Sequence, residues 1–377
     1  MYRLISADSH ADAPEKVYFD NVPKQFHGSI PHVEKADNGK EYLILNGIRI
    51  LTMNEGIATG RPVTAWNTVR EGAGDWEPEK RLRDGDRDNV VCQVVQGGAS
   101  WTLFDPDADA QFAIAKVWND WAMDTYKPYQ SRIQPSAVLP IKDIARSVAE
   151  AKRIAAMGYS NVQMPIYPAE KPYRHRDYDP LWAVLQETGL TVNLHIKSGT
   201  VARRIPLSAG RVNTFVAECT DAIITAADLC STGVLERFPG LKFVFLECGG
   251  GWVSWLMHTM DGIYAAHPDT CVALKKYPSE YFKQSLYCAI MMDSAAMRNV
   301  QHTGAGIFVF SNDYPHAEGT WPESQQRVAK QLEGMGLSQD EIELFTYKNA
   351  ERIYKFPSQS PTTDKILADA APKRAAG

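Results

Sequence analysis

From about residue 85 onward, short apolar runs alternate with stretches whose apolar residues recur every three to four positions. That alternation predicts repeated βα units. The runs are Val90–Gln96, Ile133–Leu139, Asn161–Pro165, Thr191–His195, Lys242–Glu247, Ser285–Met292 and Ile307–Ser311, and Tyr2–Ala7 at the front makes eight. Most are apolar at consecutive positions, as parallel strands covered on both faces must be. The helical stretches carry matching punctuation. Asp143 precedes Ile144–Met157 and Gly158 follows it, Pro180 sits in a first turn after Asp179, and Gly189 ends that helix. Asp293 or Ser294 opens the helix after the seventh strand. Eight such units without a glycine-rich phosphate fingerprint predict an α/β protein of the (β/α)8 TIM-barrel kind rather than an open doubly wound sheet.

The stretch from about 12 to 85 is too long for a simple connection after strand one. Glu41–Leu45 and Ile48–Met53 flank Asn46-Gly47, a two-residue hairpin signal, so a small β insertion folded over the barrel mouth is expected there. Trp321–Glu333 and Gln339–Tyr354 read as helices beyond the last strand. Residues 1–356 are therefore expected to form one barrel domain, with 357–377 a C-terminal arm or a disordered tail rich in Pro, Ser, Thr, Ala and Lys.

Composition narrows the partners. A net charge of −5 provides no field to gather nucleic acid or anionic lipid, and no apolar run is long enough to span a membrane. The start of the chain reads as a strand, not as a secretory leader. The cysteines at 92, 219, 230, 248, 271 and 288 show no CxxC pair and no disulfide-like spacing. They are expected to be reduced thiols in a soluble, cytoplasmic protein.

The chemistry gathers at strand ends. His10, His195 and His316 each fall at the C-terminal end of an expected strand or just beyond it, the face where barrels place their active sites. In Asp8-Ser9-His10, two-residue alternation points the carboxylate and the imidazole to one side. Alone, that pair is more simply a polar turn. Strand six, however, ends Leu246-Glu247-Cys248-Gly249-Gly250-Gly251-Trp252, and strand eight ends Ser311-Asn312-Asp313-Tyr314-Pro315-His316. Buried carboxylates at several strand ends are costly unless paired or bound to metal.

These segments, with the closing Asn349-Ala350-Glu351-Arg352-Ile353-Tyr354, resemble the amidohydrolase superfamily. The resemblance is to the amidohydrolase-related branch that includes aminocarboxymuconate-semialdehyde decarboxylase and resorcylate-type decarboxylases, and it runs over nearly the whole chain. It implies a metal held by Asp8, His10, His195 and Asp313. Three departures stand out. Asp8 replaces the first histidine of the commoner HxH pair. Glu247, or Cys248 one residue on, stands where relatives often have histidine. Gln163-Met164-Pro165 on strand four offers no bridging lysine or glutamate.

Two imidazoles and two carboxylates suit Zn²⁺, Mn²⁺ or Fe²⁺. Glu247 is expected as a proton carrier or an extra ligand, and His316 as an acid or a substrate-orienting group, although His316 would serve equally well to brace its turn. Lys197, Arg203 and Arg204 stand near enough to meet an acidic substrate, or form a solvated loop. Trp66, Trp76 and Trp101 are better read as packing the insertion than as lining a pocket. The glycine run reads as close backbone approach beside the metal. The leading expectation is a metal-dependent hydrolase or non-oxidative decarboxylase of a small carboxylated cyclic or aromatic metabolite, in a homodimer. A second class stays open, because three histidines and three carboxylates suffice for a second metal ion and hence for a dinuclear-iron oxygenase. A non-catalytic binding barrel is the third.

Overall fold

The structure is a computed structural model that describes every residue except 38, 46–47, 53–71, 106, 169, 197, 199–210 and 375–377. Strand β1 (Leu4–Ala11) runs further than its apolar start foretold, so Ser9 and His10 are themselves extended. Next come the three antiparallel strands of the insertion, β2 (His32–Lys35), β3 (Glu41–Leu45) and β4 (Ile48–Thr52), paired in that order. The β3–β4 pairing is the expected hairpin, although its Asn46-Gly47 turn lies outside the described residues.

The remaining strands are β5 (Val90–Gly97), β6 (Ile133–Pro135), β7 (Ala137–Val138), β8 (Asn161–Pro165), β9 (Thr191–His195), β10 (Phe243–Leu246), β11 (Leu286–Ile290) and β12 (Phe308–Phe310). All ladders among them and β1 are parallel. β6 and β7 are two halves of one strand broken at Ser136, whose N–H still reaches Val95 O at 2.8 Å. The ring shuts where β1 meets the segment after β12. There Asp313 N–H donates to Asp8 O at 3.0 Å, and His10 N–H donates to Tyr314 O at 2.6 Å. With the broken strand counted once, this is the eight-stranded barrel that the apolar runs foretold.

Alternation divides the strand residues between two cores. Ile5, Ala7, Val94, Val244, Leu246 and Val309 fill the ring, while Val192, Leu194, Phe243, Phe245, Phe308 and Phe310 pack outward beneath the helices. Helix ends behave as their caps dictate. The Asp143 side chain accepts from Arg146 N–H, and Gly158 closes the helix at φ 102°. Gly189 ends Asp179–Thr188 in the left-handed region.

One boundary differs from expectation. The last helical stretch is broken into Gln339–Glu343, a π-helical turn Leu344–Lys348, and Asn349–Tyr354. Of the two readings for the segment beyond Pro357, it is an arm rather than a disordered tail through most of its length. It forms a helix, Thr363–Arg374, whose Ile366 and Ala370 are buried in a second apolar cluster with Leu82, Tyr126 and Ile133. Trp76 and Trp101 also belong to that side of the molecule. Trp76 meets Trp121 edge-on at 5.9 Å and Trp101 meets Tyr18 at 6.0 Å, so both pack. No helix among the described residues is long and apolar enough to cross a membrane.

Candidate metal centre

Asp8, His10, His195 and Glu247 present ligand-type atoms that all lie within 4.8 Å of one another. His195 ends β9, where Val192 and Leu194 face out and alternation turns Asn193 and His195 in. Its Nδ1 lies 2.8 Å from Ile196 O. A carbonyl only accepts, so the proton sits on Nδ1 and Nε2 is left for the site. That Nε2 is 3.3 Å from Glu247 Oε2 and 3.7 Å from Asp8 Oδ2. A nitrogen lone pair facing two carboxylates is an arrangement that requires a cation, whether proton or metal.

Glu247 reaches this position by backbone strain. Leu246 faces the ring, so an extended Glu247 would point outward; its φ of 59° swings the carboxylate back to His195. Asp313 has φ 52°, and only Asn89 and Lys355 share this region among the described non-glycine residues. A side chain in the left-handed region costs on the order of 1–3 kcal/mol and persists where the surroundings hold it. Two of the four such residues are at the barrel mouth, and neither adjoins a helix end that would explain it.

The expected quartet is not gathered as drawn from the resemblance. Asp313 falls in two other groups, one with His10 and His316 and one with Glu247 and Glu318. Its Oδ1 accepts from His316 Nδ1 at 2.8 Å and lies 3.0 Å from His10 Nε2. Burial alone would raise the Asp313 pKa, but the bonds to His10 and His316 outweigh it and hold the carboxyl well below the usual range. Burial likewise opposes a charge on His316, yet Asp313 beside it, with Glu247 and Glu318, raises its pKa. The His316 ring stacks on His10 with centroids 4.2 Å apart. Asp313 Oδ2 and His316 Nε2 are buried with no hydrogen-bond partner among the described residues.

Glu318 is the member that the sequence reading missed, because it lies past the strand end, in the loop, rather than at a strand position. Cys248 is not at the site. Its Sγ donates to Leu246 O at 3.0 Å, and burial pushes the thiol pKa well up. The glycine run meets Asp293 and the barrel wall rather than the candidate ligands. Gly250 and Gly251 N–H both donate to Asp293 Oδ2 at 2.8 Å, so the nest is filled by the chain's own carboxylate. Trp66, Lys197, Arg203 and Arg204 lie outside the described residues.

The back of the site is braced. Ser6 Oγ lies 2.8 Å from Asn312 Oδ1 and accepts the Asn312 N–H at 3.0 Å. Fully buried Arg81, from the helix Pro78–Asp88 at the end of the insertion, donates to His10 O and Asp75 O, each at 2.6 Å. It also reaches Ser9 Oγ at 2.9 Å and Gln93 Oε1 at 2.7 Å.

Residues 23–356 match the family model described as Amidohydrolase. The chain belongs to the amidohydrolase family. It is accordingly an enzyme of that superfamily, on the barrel that the family uses. It is 23% identical over 320 residues to the decarboxylase orsB of Emericella nidulans, covering 73% of this chain and 84% of that protein. It is 22% identical over 295 residues to 2-amino-3-carboxymuconate-6-semialdehyde decarboxylase of Caenorhabditis elegans, covering 65% of this chain and 73% of that one. The crystal structure of a dihydroxybenzoic acid decarboxylase from Polaromonas sp. JS666, with bound manganese and the inhibitor 2-nitroresorcinol, superposes with a TM-score of 0.67. That match has 16% identity and covers 94% of this chain and 97% of that one.

Proposed function

We propose that the protein is a metal-dependent, non-oxidative decarboxylase of small carboxylated aromatic compounds. The observation that carries this reading is the convergence of Asp8, His10, His195 and Glu247 at the C-terminal mouth of the barrel. The names of the relatives supply the reaction class. The residues fit a divalent ion: imidazole and carboxylate donors converge, and the buried Asp313 Oδ2 has no partner among the described residues. Asp8, His10, His195 and Glu247 would hold it, with Asp313 adjoining. Mn²⁺ is favoured over Zn²⁺ and Fe²⁺ because carboxylates are numerous and the Polaromonas structure carries manganese. When bound, the ion supplies Lewis-acid polarisation of a substrate oxygen.

Loss of CO₂ leaves an electron pair on the substrate carbon, and that carbon must receive a proton. His316 is the residue we assign to this step. Asp313 fixes its Nδ1–H, so a charged ring carries its second proton on Nε2. Glu247 Oε2, beside His195, is the other group able to hold a proton there. Asp313 and Ser6–Asn312 orient the donor and the strand end behind it.

A cytoplasmic setting agrees with all six cysteines being free. For a homodimer, exposed Val212, Val216 and Trp255 offer apolar surface on the helices Arg211–Ser231 and Val253–Ala266.

The test is CO₂ release from a panel of hydroxybenzoates and related aromatic acids by the manganese-loaded enzyme under strict anaerobiosis. Turnover without O₂ or reductant is expected. Hydrolysis of esters or amides without CO₂ release would replace the decarboxylase reading with a hydrolase. Activity appearing only with O₂ and electrons would replace it with an oxygenase.

A further inference from the structure

We propose that Asp293, just beyond the neighbouring strand β11, is the positioning residue that holds the Glu247 carboxylate over the site. The inference rests on the foregoing reading only in taking Glu247 as a group that meets the ion.

Glu247 at φ 59° needs something to hold it, because a side chain in that region persists only where its surroundings fix the backbone. The turn's own residues contribute little. Cys248 Sγ makes a weak bond to Leu246 O, and Trp252 Nε1–H makes a neutral one to Cys248 O at 3.0 Å. The stronger tie comes from the next strand. Asp293 Oδ2 accepts both the Gly250 and the Gly251 N–H, each at 2.8 Å, and bonds to an ionised acceptor are stronger than neutral ones. The carboxylate is itself held from behind. Its Oδ1 accepts the Ala296 N–H at 2.9 Å, and the Asp293 N–H donates at 3.1 Å to Oε1 of Gln331, buried on the helix Ser324–Leu332.

The turn is shaped to receive that carboxylate. Gly249 has φ 62°, and a Cβ there would lie 2.9 Å from Asp293 Oδ2; one on Gly251 would lie 3.3 Å from Oδ1. Bare glycines are what allow so close an approach. On the other side of Glu247, Leu246 is fixed by β10, paired with His195 and accepting the Ile196 N–H at 3.3 Å. The short span between Leu246 and Gly250 is therefore pinned at both ends, and the left-handed backbone at Glu247 and Gly249 is how the chain bridges it. Capping the helix Ser294–Arg298 would need only the bond to Ala296. The two glycine bonds exceed that task, and they fall on the loop that carries the candidate ligand.

The experiment uses the full chain. Crystal structures of the metal-free parent and of Asp293→Ala are compared first, and the same proteins are then titrated with Mn²⁺. In the parent, Glu247 Oε2 should lie near its 3.3 Å from His195 Nε2. In the variant, Glu247 should leave the left-handed region and its carboxylate should turn away. Mn²⁺ binding should weaken by roughly 10–100-fold, the range for loss of a group behind a ligand. The same substitution in a Glu247→Ala chain, where no carboxylate remains to be placed, should cost less than about 2-fold. A general loosening of the fold would cost the same in both chains, so the pair separates placement from stability. If Asp293→Ala does not fold, Asp293→Asn, of equal size but a weaker acceptor, carries the same comparison over a smaller range. A Glu247 that keeps its φ in the variant overturns the proposal, as does an equal loss of Mn²⁺ affinity in the two chains. A parent that binds no Mn²⁺ would count against the metal-dependent reading alone, because the crystal structures decide the placement of Glu247 without it.

Discussion

The guanidinium of Arg81 lies 4.9 Å from the centre of the Tyr314 ring while one of its nitrogens donates to the carbonyl of His10. Tyr314 O in turn accepts the His10 N–H, so Arg81 and Tyr314 together hold both sides of the peptide chain at a candidate ligand. The Tyr314 hydroxyl donates to Asp84 at 2.6 Å, on the same helix as Arg81. The insertion's far end is thereby a brace for the site.

Lysine cannot reproduce that fork. We expect Arg81→Lys to weaken Mn²⁺ binding by roughly 10–100-fold, the range found when a group behind a ligand is lost. Titration of the metal-free variant with Mn²⁺ measures it. Unchanged affinity would mean that the His10 backbone holds its place without help.

Glu247 and Cys248 are neighbours in sequence and opposites in surroundings. The carboxylate meets His195, whereas the thiol is buried and bonded to Leu246 O. Glu247→Gln should lower kcat by about 10²–10⁴-fold if the carboxylate moves a proton, and more if it also holds metal. Cys248→Ser should stay within a few-fold of the parent. The reverse order of effects would move the site by one residue.

Asp88 ties the insertion helix to the helix Ser324–Leu332, its oxygens accepting the Ser324 N–H at 2.9 and 3.2 Å. Burial pushes its pKa from 3.8 up to about 6, the Ser324 bonds opposing only in part. The native state therefore keeps a proton that the unfolded chain gives up first. Stability from this group is full below pH 3.8 and is lost as pH rises through about 6. Asp88→Asn cannot titrate. We expect the parent's melting temperature to fall relative to the variant's across that window, and parallel curves would refute it.

Gly250 sits against the barrel wall, where an added Cβ would lie 2.7 Å from Phe308 Cε1 and 3.1 Å from Ile290 Cδ1. Gly250→Ala should destabilise the fold by about 1–3 kcal/mol through overpacking. Urea denaturation of the two proteins decides it, and equal midpoints would show that Phe308 can give way.

The barrel was legible because β8 to β12 are buried on both faces and so read as unbroken apolar runs, and because Asp143, Gly158 and Gly189 mark helix ends by simple stereochemistry. The facing of His10 and His195 was legible, because alternation along a strand predicts it. It was less so for Glu247, since nothing about glutamate announces a φ of 59°. Glu318 escaped notice because a loop has no period from which to read direction. The helix Thr363–Arg374 was obscured by the Pro- and Ser-rich residues before it, with only Ile366, Leu367 and Ala370 to carry its apolar side.

The first strand and the last meet through two backbone bonds, at Asp8 and at His10, and the residues that would grip metal straddle the same line. A cation there would act as a rivet through the joint in the ring that closes over nearly the whole length of the chain. Such a joint carries the largest loop-closure cost of any strand pairing in the barrel. Chelation would then do more than silence chemistry: it would loosen the hoop at its clasp. The amide protons of His10 and Asp313 would exchange with solvent well ahead of those in β9, so that the ion guards the barrel's roundness as well as its reaction.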